Sequence, residues 1–113
     1  MKYMPTSGIY EYLDSYKDDK PTLEKLNIQD PAEFAKGIDV LKVLIQKAPP
    51  YVYKGKPFVS IDWLYDAVDS YENLCKKDGL TDRAYGVIIG RGLINFSLIH
   101  GKAIEPDEEI KER

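Results

Sequence analysis

The stretch GVIIGRGLINFS, residues 86–97, decides the fold of this chain, because two structures compete for it. Its β-branched residues and glycines are typical of a hairpin, YGVII–GRG–LINFSLI over 85–99. A helix is predicted instead by a Thr-Asp start at 81–82 and a His-Gly stop at 100–101. End signals that agree outweigh local propensity, which tertiary context often overrides. We therefore predict a helix over 82–100 and keep the hairpin as the alternative.

On a helical wheel this stretch has two different faces. Gly86 and Gly90 are four residues apart, a spacing that lets another backbone approach closely. A broad arc of large apolar side chains occupies the other side, and we expect this arc to face the core of the domain. The helix is thus predicted to be the central element. The arc comprises Ala84, Tyr85, Val87, Ile88, Ile89, Ile94, Phe96, Leu98 and Ile99.

Arg91 falls inside the apolar arc, one turn from Asn95. A buried charge without a partner is too costly to persist, so we expect Arg91 to meet a carboxylate. Asp66 and Glu33 are the candidates from neighbouring helices. In a second interpretation, Arg91 and Asn95 line a pocket or partner surface, where the planar guanidinium grips a carboxylate or phosphate. Both residues are therefore candidate binding residues.

Three further segments show helical periodicity between start and stop signals. Each begins with a residue that is favoured as an N-cap, and one has proline at the first helical position. A short helical turn is also predicted at 21–27. The three segments and their caps are 7–17 (Ser7), 30–50 (Asp30) and 60–79 (Ser60).

The predicted architecture is mainly α, a compact bundle of four to five helices. The segment PPYVYKGKPFV, 49–59, has aromatic residues on both sides of a Lys-Gly-Lys-Pro sequence and is predicted to be a short aromatic loop or hairpin. The alternative fold is α+β, with a C-terminal β-hairpin at 85–99. Residues 1–104 are expected to form a single helical domain, and 105–113 a charged, frayed tail.

Composition excludes several classes of function. The chain has 113 residues with a net charge of −3, which gives no basic excess for broad nucleic-acid binding. Cys75 and His100 are the only cysteine and histidine, so a zinc site would lack its usual ligands. No catalytic motif is present, and we expect no enzyme, cofactor or metal. The apolar runs are too short for a membrane span, and a cytoplasmic protein is expected.

Two sets of residues are candidates for binding. Asp62, Asp66 and Asp69 recur at i, i+4 and i+7 on one helix face. They form either a solvated face or a stripe that binds a cation, attracts a basic partner or imitates the phosphates of nucleic acid. An aromatic-basic set gives the alternative of nucleic-acid binding by base stacking. That set comprises Tyr51, Tyr53, Lys54, Lys56 and Arg83.

The function predicted from these features is non-catalytic binding of another macromolecule, as an inhibitor or regulator that acts through protein–protein contact. Val40 and Val43 lie outside the main apolar stripe of their segment, and the N-terminal segment is rich in tyrosine. Together they offer more apolar surface than one side of a short helix needs. A protein partner or a second copy of the chain is therefore expected, and a membrane is not.

Overall fold

A computed structural model describes residues 1–106, which form a small antiparallel sheet and five helices. The predicted mainly α architecture is confirmed, as is the hairpin within 49–59. Within the described residues, no helix is long and apolar enough to cross a membrane. In the tail expected at 105–113, residues 107–113 lie outside the described part. The elements in chain order are β1 (Tyr3–Pro5), α1 (Ile9–Asp14), α2 (Lys20–Lys25), α3 (Pro31–Lys47), β2 (Tyr51–Tyr53), β3 (Lys56–Ser60), α4 (Ile61–Lys77) and α5 (Thr81–Ile99).

The decisive stretch is helical along its whole length, so the alternative of a hairpin at 85–99 is wrong. Tertiary packing explains this outcome, because α5 packs against both α3 and α4. Gly37 faces Gly86, and four residues further along both helices Leu41 contacts Gly90. Helices α3 and α5 therefore run in the same direction. Helix α4 runs antiparallel to α5, to which a short turn joins it.

The backbones of α3 and α5 touch where they cross. A Cβ atom added to Gly86 would lie 2.3 Å from the carbonyl oxygen of Phe34, and one added to Gly37 would lie 2.1 Å from that of Arg83. No side chain fits in either place. The predicted close approach of another backbone is thus confirmed at Gly86, with Gly37 supplying the matching position on α3, whereas Gly90 is contacted by the side chains of Leu41 and Val68.

The helix starts follow the predicted caps in two cases out of three. Asp30 caps α3 and Ser60 caps α4, each through its side-chain oxygen. Ser7 does not cap α1, which begins after Gly8 at a φ of 71° and is shorter than predicted. Asp82 does not cap its own helix either. Its carboxylate instead accepts the backbone N–H groups that precede α3, those of Gln29 (3.0 Å) and Asp30 (2.6 Å).

The sheet has the strand order β1-β3-β2, with both pairs antiparallel. Lys54 and Gly55 form the two-residue turn between β2 and β3, with φ values of 51° and 78°. Positive φ at both positions is what a type I′ turn requires. Strand β1 was not predicted, since three residues are too few to show an alternating pattern. The strand is held by β3 and by a bridge between Tyr3 and Ile104.

Candidate functional site

Arg91 pairs with two carboxylates on α4. Its Nη2 lies 3.0 Å from Oδ1 of Asp69 and also donates to Oε1 of Glu72. The expectation of a carboxylate partner is confirmed, but the two candidates, Asp66 and Glu33, are wrong. The antiparallel packing of α4 on α5 sets residues 69 and 72, rather than 66, opposite Arg91.

The pair is part of the fold rather than an open binding group. The side chain of Glu72 is only 9% exposed, and it also pairs with Lys76 at 2.9 Å. Arg91 and then Lys76 hold the pKa of the Glu72 carboxyl below its usual value, while Glu72 raises the pKa of Arg91. The buried Nε of Arg91 has no acceptor within residues 1–106. Asn95 is exposed and takes no part in this network.

The orientation of α5 differs from the prediction. The small-residue face is buried, including Gly86, Gly90 and Ser97, whereas the large apolar arc is buried or half-buried in its first part and open near its end. Phe96 is 47% exposed and Ile99 is 78% exposed. The prediction that this arc faces the core is therefore confirmed for most of the arc and wrong for Phe96, Leu98 and Ile99, near the end of α5. Helices pack closest where side chains are smallest, so α3 and α4 cover the glycine face and leave the bulky face outside.

The open face of α5 borders a groove of about 280 Å³. The opposite wall of the groove consists of residues from α1 and from the turns that follow α1 and α2. No lining residue carries a charge. The hydroxyl groups of Tyr12 and Tyr16 are 2.8 Å apart, and burial, followed by the hydrogen bond to Tyr12, raises the pKa of Tyr16 to about 12. Tyr16 thus stays neutral at physiological pH. The groove is lined by Tyr12, Tyr16, Leu26, Tyr85, Ile88, Ile89, Gly92, Leu93 and Phe96.

A second cleft, of about 320 Å³, lies between the sheet and the start of α4. The rings of Tyr3 and Tyr51 pack against each other in it, with their centroids 4.3 Å apart and their planes tilted by 32°. Trp63 lines the same cleft together with Asp62 and Asp66. The structure therefore joins Tyr51 to two of the three stripe aspartates, which the sequence had suggested for separate functions. The other lining residues are Met1, Pro49, Pro50 and Ser60.

The acidic stripe does not act as one surface. Asp69 is engaged by Arg91, whereas Asp62 and Asp66 are exposed and have no ion-pair partner within residues 1–106. Asp62 lies in the first turn of α4, where its charge also balances the positive end of the helix. Trp63, between the two free aspartates, was missed by the sequence analysis, although it is the single tryptophan of the chain.

The aromatic-basic set is only partly assembled. At the hairpin, Lys54 Nζ lies 5.4 Å from the ring centroid of Tyr53, and Lys56 is exposed beside them. Arg83 lies elsewhere, because its Nη2 is 2.8 Å from Oε1 of Glu33 near the start of α3. The hairpin follows the opposite end of that helix. The structure thus does not bring Arg83 to the hairpin.

The two valines outside the main stripe of α3 have different surroundings. Val43 is 44% exposed, whereas Val40 packs partly against the core. Among residues 1–106, no group of three or more histidine, cysteine or acidic side chains is arranged to hold a metal ion. Comparison with protein-family models, with curated proteins and with solved structures gives no match. The candidate functional surfaces are the groove on α5 and the cleft between the sheet and α4.

Proposed function

We propose that this chain is a non-catalytic protein-binding module, the class that includes inhibitors and regulators acting by contact. The observation that carries the proposal is the open, uncharged apolar face of α5. Large apolar side chains left in water at one continuous surface are typical of a protein interface. The location proposed is the cytoplasm, where a reducing environment suits the single buried thiol of Cys75.

The chemistry of the remaining groups supports a role without catalysis. Burial raises the pKa of the Cys75 thiol, so the reactive thiolate is disfavoured at neutral pH. His100 stacks against Phe96, with the ring centroids 4.2 Å apart, at the end of α5. The open face of α5 consists of apolar and aromatic side chains, which bury well on association.

The spacing of the exposed face favours a second copy of the chain as the partner. Half-buried Tyr85 and Ile88 on one side, and exposed Phe96 and Ile99 on the other, are spaced symmetrically in the sequence about Gly92. A two-fold axis there sets two α5 helices antiparallel, with Tyr85 against Ile99 and Ile88 against Phe96 of the second copy. A Cβ added to Gly92 would meet nothing within 4 Å, so this position is open to the other helix.

The extent of the face sets the expected strength of this contact. Residues 85–99 span about 21 Å of helix. With the adjoining groove, the face is at the small end of specific interfaces, and we expect a reversible dimer with a Kd of about 1–100 μM. A dimer with a Kd in this range dissociates into folded monomers at low concentration and is measurable in solution at higher concentration.

Sedimentation velocity over a concentration series tests the proposal. We expect the sedimentation coefficient of the wild type to rise with concentration, and that of Ile88→Glu to stay at the monomer value. Leu74→Glu, a substitution of an exposed leucine on α4, is the matched control and should still associate. Circular dichroism establishes that each variant is folded.

The symmetry is tested separately by Gly92→Cys. A two-fold axis at this position brings the two introduced thiols together, so oxidation should give a covalent dimer. Asn73→Cys, on the exposed side of α4, should give none beyond random collision. A wild type that stays monomeric throughout, with equal and slow cross-linking of both cysteine variants, would overturn the proposal.

A further inference from the structure

The cleft between the sheet and α4 has no lining residue in common with the groove on α5, and the proposed function does not use it. It combines packed aromatic rings with two carboxylates, Asp62 and Asp66, that are free of ion pairs within residues 1–106. Its volume of about 320 Å³ is that of a small-ligand site. This combination is complementary to a ligand with a positive charge and an apolar stem.

We propose that this cleft binds an ammonium or guanidinium group carried on an alkyl chain, as on a lysine or arginine of a partner protein. The electron-rich faces of tryptophan and tyrosine attract such a cation, and Trp63 and Tyr51 supply both ring types. Asp62 and Asp66 are one helical turn apart, so both carboxylates reach the same cleft. The proline rings of Pro49 and Pro50 complete an apolar wall for the alkyl stem.

The balance of charge favours a cation over a phosphate. The start of α4 contributes the equivalent of roughly half a positive charge, and the two carboxylates contribute two negative charges. The local charge is therefore negative by about one and a half units. The N-terminal ammonium of Met1, which also lines the cleft, lies 4.0 Å from Oε1 of Glu105, and that carboxylate offsets it. Among the described residues that line the cleft, none is lysine or arginine. A nucleic-acid backbone would be repelled here.

The single tryptophan provides a direct measurement. Trp63 is half-buried in the cleft, so a bound cation should change its fluorescence in a saturable way. The probes are a blocked pentapeptide of glycine, arginine and lysine, the same peptide with citrulline and norleucine in place of the charged residues, and spermidine. We expect the charged peptide to bind and the neutral peptide not to bind.

Variants distinguish binding in the cleft from nonspecific attraction of the peptide by the negative charge of the chain. Asp62→Asn with Asp66→Asn should weaken binding about fivefold, as the loss of two exposed ion pairs implies. The matched control, Asp18→Asn with Glu24→Gln, removes the same two charges from exposed positions outside the cleft and should leave the affinity unchanged. Tyr51→Leu should weaken binding through the lost ring face, with thermal melting to verify that the hairpin still folds.

The outcomes distinguish the source of the cation. Binding of the charged peptide without spermidine assigns the site to a protein partner, and equal binding of spermidine assigns it to a free polyamine. Either result supports a cation site. An unchanged Trp63 signal with both probes, or equal affinity of wild type and the double aspartate variant, would overturn the proposal. Self-association at α5 is measured independently and is unaffected by either result.

Discussion

The Cα atom of Gly37 on α3 lies only 2.8 Å from where the Cβ of any larger residue at position 86 of α5 would be. This contact between Gly37 and Gly86 fixes how α5 is oriented. With the backbones touching on the glycine side, the bulky side of α5 necessarily points away from α3. The core and the candidate interface are therefore consequences of the same helix crossing.

Replacement of Gly86 by alanine should destabilise the fold. The new methyl group meets the backbone of α3 at Phe34, which has no freedom to rotate away. We expect a loss of about 3 kcal/mol in the free energy of unfolding, at the upper end for overpacking. Urea denaturation measures it.

Gly92→Ala on the same helix is the control for helix propensity. Its methyl group meets nothing within 4 Å, so the free energy of unfolding should rise by up to about 1 kcal/mol because alanine has the higher helix propensity. The measurement is made at a concentration at which the chain is monomeric. Equal stabilities of the two alanine variants would contradict the role given to the helix crossing.

Replacement of Arg91 by methionine should lower the free energy of unfolding by about 2 kcal/mol, because it leaves the Glu72 carboxylate buried with only Lys76 as partner. Combining Arg91→Met with Glu72→Leu removes both charges and should restore much of the loss. A double-mutant cycle from chemical denaturation gives the coupling free energy. Additive effects of the two substitutions would contradict a direct pair.

The free energy of unfolding should also depend on pH through Glu72. Its carboxyl pKa is lowered in the folded chain, first by Arg91 and then by Lys76, from the ordinary value of 4.5. The stabilisation is thus present above that value and is lost as the pH falls through the lower, folded pKa. Glu72→Gln should show a shallower loss of unfolding free energy between neutral pH and acid than the wild type. Parallel pH profiles would contradict this expectation.

Asp82 should matter for the start of α3 rather than for α5. Asp82→Ala removes the acceptor for two backbone N–H groups and should cost about 1 kcal/mol, whereas Asp82→Asn keeps an acceptor oxygen and should cost less. Hydrogen exchange at Gln29 and Asp30 provides the local readout. Faster exchange at the first turn of α5 alone would contradict the assignment.

The alternative of nucleic-acid binding predicts that affinity depends on salt concentration. Binding through Lys54 and Lys56 would require an affinity that falls steeply as salt rises. We expect unshifted mobility of DNA and RNA probes at low salt, since Asp62 and Asp66 adjoin Tyr51 and repel phosphate. A shifted band that Lys54→Glu abolishes would favour the alternative.

Local signals predicted much of the fold. Asp30 and Ser60 cap their helices as expected, because a cap involves only a few neighbouring residues. The hairpin was predictable since Lys54 and Gly55 are flanked by aromatic residues, and the close approach at Gly86 followed from its spacing to Gly90. Strand β1 was missed because its stability comes from pairing with a strand more than fifty residues away.

The candidate sites were less predictable. The sequence assigned Tyr51 and Asp66 to separate hypotheses, and only the packing of the sheet on α4 places them in one cleft. Arg91 required a carboxylate by its own chemistry. Which carboxylate it meets depends on the register of α4 against α5, and a helical wheel drawn for one helix contains no such information.

The sequence by itself determined where α3 and α4 begin, that α5 has a small and a bulky face, and that Arg91 needs a counter-charge. These properties arise from neighbours within a turn or two along the chain. Only the tertiary structure decided which face of α5 is covered. A wheel predicts that large apolar side chains are buried, but the close crossing at Gly37 and Gly86 buries the glycine face and leaves Phe96 and Ile99 in water.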